Sequence, residues 1–333
     1  MTIEEGREMS ALPARFMLSG VAALALLVSV ANAQDFPDHT VKIIVPSSPG
    51  GAIDLTGRVI GQKLQGKWGK PVIIENRPGA SMQIGADAVA KSRPDGYTLL
   101  VAHDGTMAMN PLVFPNLPYN PQKDFEPLGL IISIPEVVMV NVDVPAHSIS
   151  ELVALAKKNP GQLTHATGGS ATLLSLELFK AMADVDIRSI QYRGAAPSVT
   201  ALIGGETSMQ IADLTSAVPG LRSGRVRPLA VTSLTGSKLY SDLDTVDHTG
   251  VPGYEVNTWM GFFAPAHTPK AVTEKIEAAI NEAVAMPDVR SRFESTGAVM
   301  RSGTATEMRQ VLAADTAKWA KLVHDRHIKF DEQ

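Results

Sequence analysis

The sequence predicts an α/β protein of two lobes joined by a two-strand hinge, and three observations carry that expectation. Apolar runs rich in β-branched residues alternate with Gly- or Pro-containing loops and helical patterns, as in parallel sheets covered on both faces. The alternation occurs twice, in two stretches of similar size. Two long apolar segments, Leu128 to Val144 and Val256 to Ala264, flank the second stretch and read as crossovers that carry the chain out of the first unit and back. The boundaries that follow are 34–134 with 260–333 for one domain and 135–259 for the other. A chain of 333 residues is long enough for two such cores.

Taken in order, the chain begins with a targeting pattern. Arg15 precedes an apolar run from Phe16 to Val30, and Ala31-Asn32-Ala33 supplies the small residues a signal peptidase needs before a cut at Gln34. Residues 1–33 are therefore expected to be a cleaved secretory signal. The run falls short of the roughly 20 apolar residues that span a bilayer. Met1 to Ser10 is acidic for such a segment, which makes Met9 an alternative start.

Three strand-loop-helix units follow. Val41 to Val45 leads through Pro46 to Ile53 into a helix from about Asp54 to Gln65; Pro71 to Glu75 leads through Asn76 to Ser81 into a helix ending near Ser92; Tyr97 to Ala102 leads to His103-Asp104-Gly105-Thr106. A Pro-rich extended stretch, Asn110 to Pro127, separates these from the first crossover. Ser148-Ile149-Ser150-Glu151 is a capping box that opens the next helix, and Asn159-Pro160-Gly161 stops it. Strands are expected at Leu163 to Ala166, Ile187 to Gln191, Met209 to Asp213 and Val226 to Thr232. An apolar helix through Leu173, Leu176, Phe179 and Ala183 follows the loop Thr167 to Thr172, and a short one follows Tyr192 to Pro197. Beyond Ala264 the chain reads as mostly helical. Thr268-Pro269 serve as N-cap and first residue of one helix, and Thr304 to Glu307 is the capping box of another.

Composition removes several function classes. Apolar residues make up 44% and charged residues 19%, which fits a globular chain and neither disorder nor a fibrous repeat. With 30 Lys+Arg against 34 Asp+Glu the net charge is -4, so a surface built to grip nucleic acid is not expected. The absence of Cys excludes disulfides, thiolate zinc sites and a cysteine nucleophile.

Ligands of open parallel sheets bind outside the carboxyl ends of the strands, which directs attention to the loops above. Gly50-Gly51 and Pro78-Gly79-Ala80 are bare, so backbone N–H groups at helix N-termini are free to meet a carboxylate or phosphate. Asp54 is most simply the N-cap of its helix, with Arg58 four residues on as its ion-pair partner.

The motifs Pro49-Gly50-Gly51-Ala52-Ile53-Asp54 with Arg58, Glu75-Asn76-Arg77-Pro78-Gly79-Ala80, Arg93-Pro94-Asp95-Gly96-Tyr97-Thr98-Leu99 and Pro118-Tyr119-Asn120-Pro121 with Asp124-Phe125 occur in that order. Tyr192-Arg193-Gly194 with Ala196-Pro197, Leu202-Ile203-Gly204-Gly205, Pro228 to Thr232, and Trp259 with Gly261 and Ala264-Pro265 continue it to the C-terminal region. Together they resemble the Bug family of periplasmic solute-binding proteins, the receptors of tripartite tricarboxylate transporters, across essentially the whole mature chain. The resemblance implies a periplasmic-binding-protein fold whose lobes close on a small carboxylate, a monomer in the periplasm, membrane permease subunits as partners, and neither metal nor cofactor. It places one carboxylate against Ser47, Ser48, Gly50, Gly51 and Asp54 and against Ala80, Ser81 and Met82. The other lobe would add Gly169, Ser170, Ala171, Thr172, Tyr192, Arg193, Gly194 and Asp213, with His103, Asp104 and Thr106 in the wall.

The chain departs from the family pattern in four places. Ser47 stands where an aromatic residue is common, Ala80 to Gly85 holds less glycine than usual, and Gly168 to Thr172 is less Ser-rich. Asp244 to Thr249 replaces a Pro-Thr motif before the second crossover. C4 to C6 dicarboxylates, acidic amino acids, citrate and aromatic carboxylates all stay open as ligands, the loss of the aromatic at 47 counting against the last.

Enzyme readings fare worse. Gly168 to Thr172 lacks the final Gly of a nucleophile elbow, Gly61 to Lys67 fails as a phosphate loop at Trp68 and lies within a helix, and no Gly-x-Gly-x-x-Gly occurs. His103-Asp104 reads as a hydrogen-bonded wall pair before it reads as an acid-base pair. His324 and His327 lack a third ligand. Arg193 suits a distal carboxylate, whereas Arg77 braces its own loop. Trp68 and Trp319 read as core, and Trp259 as a reporter of closure. A sensor that presents its closed form to a signalling protein is the alternative to transport.

Overall fold

The structure, a computed structural model, describes residues 36–301 and 303–328, so the expected signal segment 1–33 lies outside the described residues. β1 (Val41–Val45) buries every residue but Lys42. It feeds α1 (Ala52–Trp68), which lies close on the sheet because Gly57 and Gly61 carry no side chain. A Cβ at either glycine would meet Val45 or Ile74 at 2.8 Å. β2 (Val72–Asn76) passes through a tight turn at 80–82 into α2 (Gln83–Ala90), and β3 (Thr98–His103) runs into a π-helical turn, Gly105–Met109, and α3 (Asn110–Val113). The stretch expected to be extended from Asn110 is thus helical for its first turn; Pro111, near the start of α3, has no N–H to leave unpaired there.

β4 (Phe125–Asn141) is the first crossover, buried except at Glu126 and Ser133. Then follow α4 (Ile149–Lys158), β5 (Thr164–Thr167), α5 (Ser170–Ala183), β6 (Arg188–Gln191), α6 (Ala195–Gly204), β7 (Met209–Asp213), α7 (Leu214–Arg222), β8 (Val226–Val231) and α8 (Val246–Thr249). β9 (Asn257–Pro265), the second crossover, precedes α9 (Lys270–Ala285), α10 (Pro287–Glu294), β10 (Val299–Met300) and α11 (Ala305–Arg326). The capping boxes form as expected, with Glu151 N–H on Ser148 Oγ at 3.1 Å and Glu307 N–H on Thr304 Oγ1 at 3.2 Å. The Thr268-Pro269 expectation is corrected: Pro269 is extended and caps α9, and the Thr268 hydroxyl donates to Pro265 O at 2.7 Å.

Strand order is β2-β1-β3-β9-β4-β7-β5-β6, with β8 and β10 also on β4. β1 is parallel to β2 and β3, and β5 to β6 and β7; the two crossovers run antiparallel to everything they pair. β4 changes partner midway. Its first part pairs β9 from Phe125 with Pro265 to Pro135 with Asn257, and from Glu136 onward it pairs β7 and β8. Pro135 has no N–H to give a ladder, which suits the last residue before the exchange. Two halves of sheet therefore share one continuous strand. α11 bridges them: Met308 and Leu312 pack with Phe263 and Trp259 of the first half, and Trp319 and Leu322 with Phe179 and Tyr254 of the second.

Candidate functional site

Helix N-termini differ in whether a side chain closes them, and of the helices that directly follow parallel strands only α7, among the described residues, has such a cap. α4, α7, α8 and α11 are closed by the side chains of Ser148, Asp213, Thr245 and Thr304. α1, α2, α5 and α6 have no side-chain cap; their N-caps are Gly51, Met82, Gly169 and Gly194. The four open helices leave β1 and β2 in one half and β5 and β6 in the other. In α1 the first backbone bond is Leu55 N–H to Gly51 O, so among the described residues the amides of Ala52, Ile53 and Asp54 meet no acceptor. α5 likewise starts with Leu173 N–H to Gly169 O. Uncapped first turns carry unpaired donors and the positive end of the dipole, the chemistry that receives a carboxylate.

Asp54 holds the first loop in place, from the third position of α1 and not from the N-cap as its sequence position suggested. Its carboxylate reaches back to the Gly50 amide at 3.0 Å, takes Arg58 Nε at 2.9 Å on the same oxygen, and takes Asn76 Nδ2 at 2.9 Å on the other. Asn76 also donates to Ser47 O at 3.0 Å, and Arg58 reaches Asn76 Oδ1 at 3.0 Å. Burial works to raise the Asp54 pKa, but the bonds from Arg58, Asn76 and Gly50 outweigh it and hold the carboxyl below its usual range. Both oxygens are thereby spent on shaping the loop. Ser48 and Gly50 are exposed at its tip, while the Ser47 hydroxyl is buried without a partner.

The second loop is strained. After Gly79 at φ 125°, three residues with side chains, Ala80, Ser81 and Met82, have φ of 46°, 49° and 73°. Left-handed backbone costs an L-residue roughly 1–2 kcal/mol, so the run holds energy that something else must offset. Asn110 Nδ2 grips Ser81 O at 2.9 Å, and the Thr106 hydroxyl donates to Met82 Sδ at 3.4 Å. Ser81→Gly is expected to raise the unfolding free energy by about 1 kcal/mol, read as a higher urea midpoint at unchanged slope.

The His103 loop is held by hydrogen bonds of its own. Thr106 N–H donates to His103 Nδ1 at 3.2 Å, and burial pushes the imidazole pKa down to about 4, so the ring is neutral. Asp104 is 1% exposed and accepts from the Gly105 amide; burial, with Asp315 and Glu136 nearby, pushes its pKa well up.

In the second half the structure separates side chains from backbone. Ser170, expected to face the ligand, is 3% exposed and donates to Asn110 Oδ1 at 2.6 Å and Gly105 O at 3.3 Å. Thr172 Oγ1, in the first turn of α5, is used locally, accepting from Gly168 N–H and donating to Gly169 O. Asp213 caps α7 through the Ser216 amide at 2.8 Å. The Tyr192 hydroxyl meets Glu206 beyond the C-terminal end of α6, which turns the ring away from that helix's N-terminus. Gly168 and Gly194 touch: a Cβ on Gly168 would lie 2.9 Å from the Gly194 carbonyl. What remains for a ligand is the amides around Gly169 to Ala171 and at Gly194, and Arg193, which is exposed and makes no hydrogen bond or ion pair among the described residues. Arg77 pairs with Glu75 of β2 at 2.7 Å.

Two residues escaped the sequence reading. Asn76 closes β2 and Asn110 begins α3; both are hubs whose partners are distant in sequence. A lone Asn after an apolar run, or before Pro111, was the signal available.

Comparison with known proteins fits this geometry. Residues 56–328 match the family described as the tripartite tricarboxylate transporter family receptor. BugT of Bordetella pertussis is 31% identical over 310 residues, covering 92% of this chain and 95% of that protein. The structure of Rhodopseudomonas palustris Rpa4515 with adipate superposes with a TM-score of 0.82 at 32% identity, covering 87% of this chain and 97% of that one. MatC from the same organism, with bound malate, gives 0.81 at 31% identity, covering 86% and 100%. With a mixed α/β fold shared with these periplasmic binding proteins and a profile match over most of its length, the chain belongs to the family of tripartite tricarboxylate transporter receptors.

Proposed function

We propose that this chain is a periplasmic receptor that captures a small dicarboxylate between two lobes and hands it to the permease subunits of a tripartite tricarboxylate transporter. One observation carries the reading: of the helices that directly follow parallel strands, the four without a side-chain cap are two from each half, α1 and α2 in one and α5 and α6 in the other. Two pairs of open N-termini suit a ligand with a carboxylate at each end. Adipate and malate, held by the two R. palustris relatives, are such ligands. Arg193 would pair with the distal carboxylate as a bidentate donor. Residues 34–134 with 260–333 and residues 135–259 act as the lobes, closing about β4 and β9. No bond is made or broken in this cycle: closure is driven by the ligand's greater affinity for the closed state. The chain works as an exported monomer after loss of residues 1–33.

Thermal shift on residues 34–333 tests this. Malate, succinate, adipate, citrate, glutamate, benzoate, glucose, ATP and zinc form the panel. A ligand at a hundredfold excess over its Kd adds about 2.7 kcal/mol, a rise of several degrees in Tm. A rise confined to carboxylates is expected. A rise with ATP or zinc and none with carboxylates would overturn the reading.

A further inference from the structure

Asn110 is 0% exposed, and its amide spans the two halves of the molecule. Nδ2 donates to Ser81 O at 2.9 Å and to the Tyr119 hydroxyl at 3.1 Å; Oδ1 accepts from Ser170 Oγ at 2.6 Å. The amide's orientation is fixed by chemistry. Ser81 O can only accept, so the nitrogen must face it, and the Tyr119 hydroxyl gives its own proton to Thr106 O at 2.7 Å, which leaves it an acceptor toward Nδ2. Ser81 lies in the left-handed turn before α2, and Ser170 is the first residue of α5. One buried side chain therefore joins the open end of a helix in one half to the open end of a helix in the other.

We infer that Asn110 is the positioning residue that sets the distance between the two ends of the ligand site, and so the chain length of dicarboxylate it prefers; this rests on the receptor function proposed above. The Ser81 carbonyl, the planar carboxamide and the Ser170 hydroxyl form a bridge with no soft torsion between the two hydrogen bonds. The strained turn has no other side-chain hydrogen bond on its backbone among the described residues. Without the bridge the turn relaxes and α5 loses its registration against it, so ligands of different length are accepted more evenly. Asp cannot substitute, because it would face the Ser81 carbonyl with an acceptor.

The test is titration calorimetry with succinate, glutarate and adipate on the native chain, Asn110→Ala, Ser170→Ala and Tyr119→Phe. Ser170→Ala cuts the bridge between halves while leaving the turn held, so it covers the case in which Asn110→Ala fails to fold. Tyr119→Phe removes a neighbouring bond outside the bridge. The expected result is that the spread of Kd across the series narrows at least about tenfold in Ser170→Ala and Asn110→Ala and stays native in Tyr119→Phe, a 1.4 kcal/mol change in discrimination. A purely structural role would lower Tm and weaken all three ligands alike. An unchanged ratio in folded Ser170→Ala overturns the inference while native binding still supports the receptor; failure of the native chain to bind any of the three overturns both.

Discussion

Gly51→Asp is expected to fold at least as well as the native chain while losing carboxylate affinity by a hundredfold or more. Gly51 is the N-cap of α1 with φ -88° and ψ 177°, extended backbone that any residue adopts, and a Cβ there would meet nothing within 4 Å. Asp is among the best N-cap residues, better than Gly by a few tenths of a kcal/mol, and its charge suits the helix dipole. The apo protein should gain slightly in Tm. The same carboxylate would occupy the free amides of the first turn and confront an incoming one. Two like charges about 4 Å apart repel by about 4 kcal/mol at the effective dielectric of a protein surface, enough for roughly a thousandfold loss. Gly51→Ser makes the contrast: it takes the amides without the charge and should cost only about tenfold. Calorimetry with the tightest ligand of the panel, beside thermal melts of the apo proteins, reads both quantities. Native affinity in a folded Gly51→Asp chain would remove the first loop from the site.

That α1 has an open end was legible in the sequence, because Gly50-Gly51 ahead of a helical pattern offers no capping side chain. Where the helix starts was not. An acidic residue at a helix start usually caps it, which makes Asp54 the expected N-cap; two residues of extra helix at the N-terminal side put it at the third position instead, where it reaches back to Gly50. The crossovers were legible because a buried strand as long as β4 cannot be accommodated by one small sheet, and its length announces the change of partner. The parallel strands were legible for the usual reason of β-branched runs between turn residues. Hydroxyls were the weak point. Ser170, Thr172 and Asp213 sit at the strand-to-helix junctions that the strand-end rule selects, yet each is spent on a neighbour or a cap, and nothing local in the sequence tells a satisfied hydroxyl or carboxylate from a free one. Ser170 finds its acceptor on Asn110, 60 residues away. The left-handed run at Ala80 to Met82 was hidden for a related reason: that conformation is usually announced by Gly or Asn, and here contacts from Asn110 and Thr106 hold ordinary residues in it.

Glu136→Gln is expected to flatten the pH dependence of stability between about 4.5 and 7. Glu136 lies where β4 exchanges β9 for β7, opposite Asp213, and is 1% exposed. Thr258 Oγ1 donates to its Oε1 at 3.1 Å, and Oε2 lies beside the Ser175 hydroxyl without a well-formed hydrogen bond. The charged groups that bear on it are Asp213 from β7, Asp104 from the turn after β3, and Lys318 from α11, with Tyr254 also close; Asp315 of α11 bears on Asp104 and is held by Trp259 Nε1. Burial, helped by Asp213, pushes the Glu136 pKa up to about 7 against the partial relief of Ser175, Thr258 and Lys318. The folded chain thus keeps a proton that the unfolded chain releases near 4.5. Its contribution to stability is fully present below that value and is lost as pH rises through about 7, amounting to at most about 3 kcal/mol. Gln keeps the shape and stays neutral at every pH. Urea unfolding at pH 4.5, 6 and 8 should find native and variant within about 1 kcal/mol at the lowest pH and the variant ahead by about 2–3 kcal/mol at the highest. Asp104, Asp213 and Asp315 are raised as well, so the native slope is not expected to vanish entirely in the variant. Parallel curves for the two proteins would mean that Glu136 ionises in the native state without penalty. The charge would then have to be met by Lys318, whose Nζ donates to Glu255 O and would have to leave it.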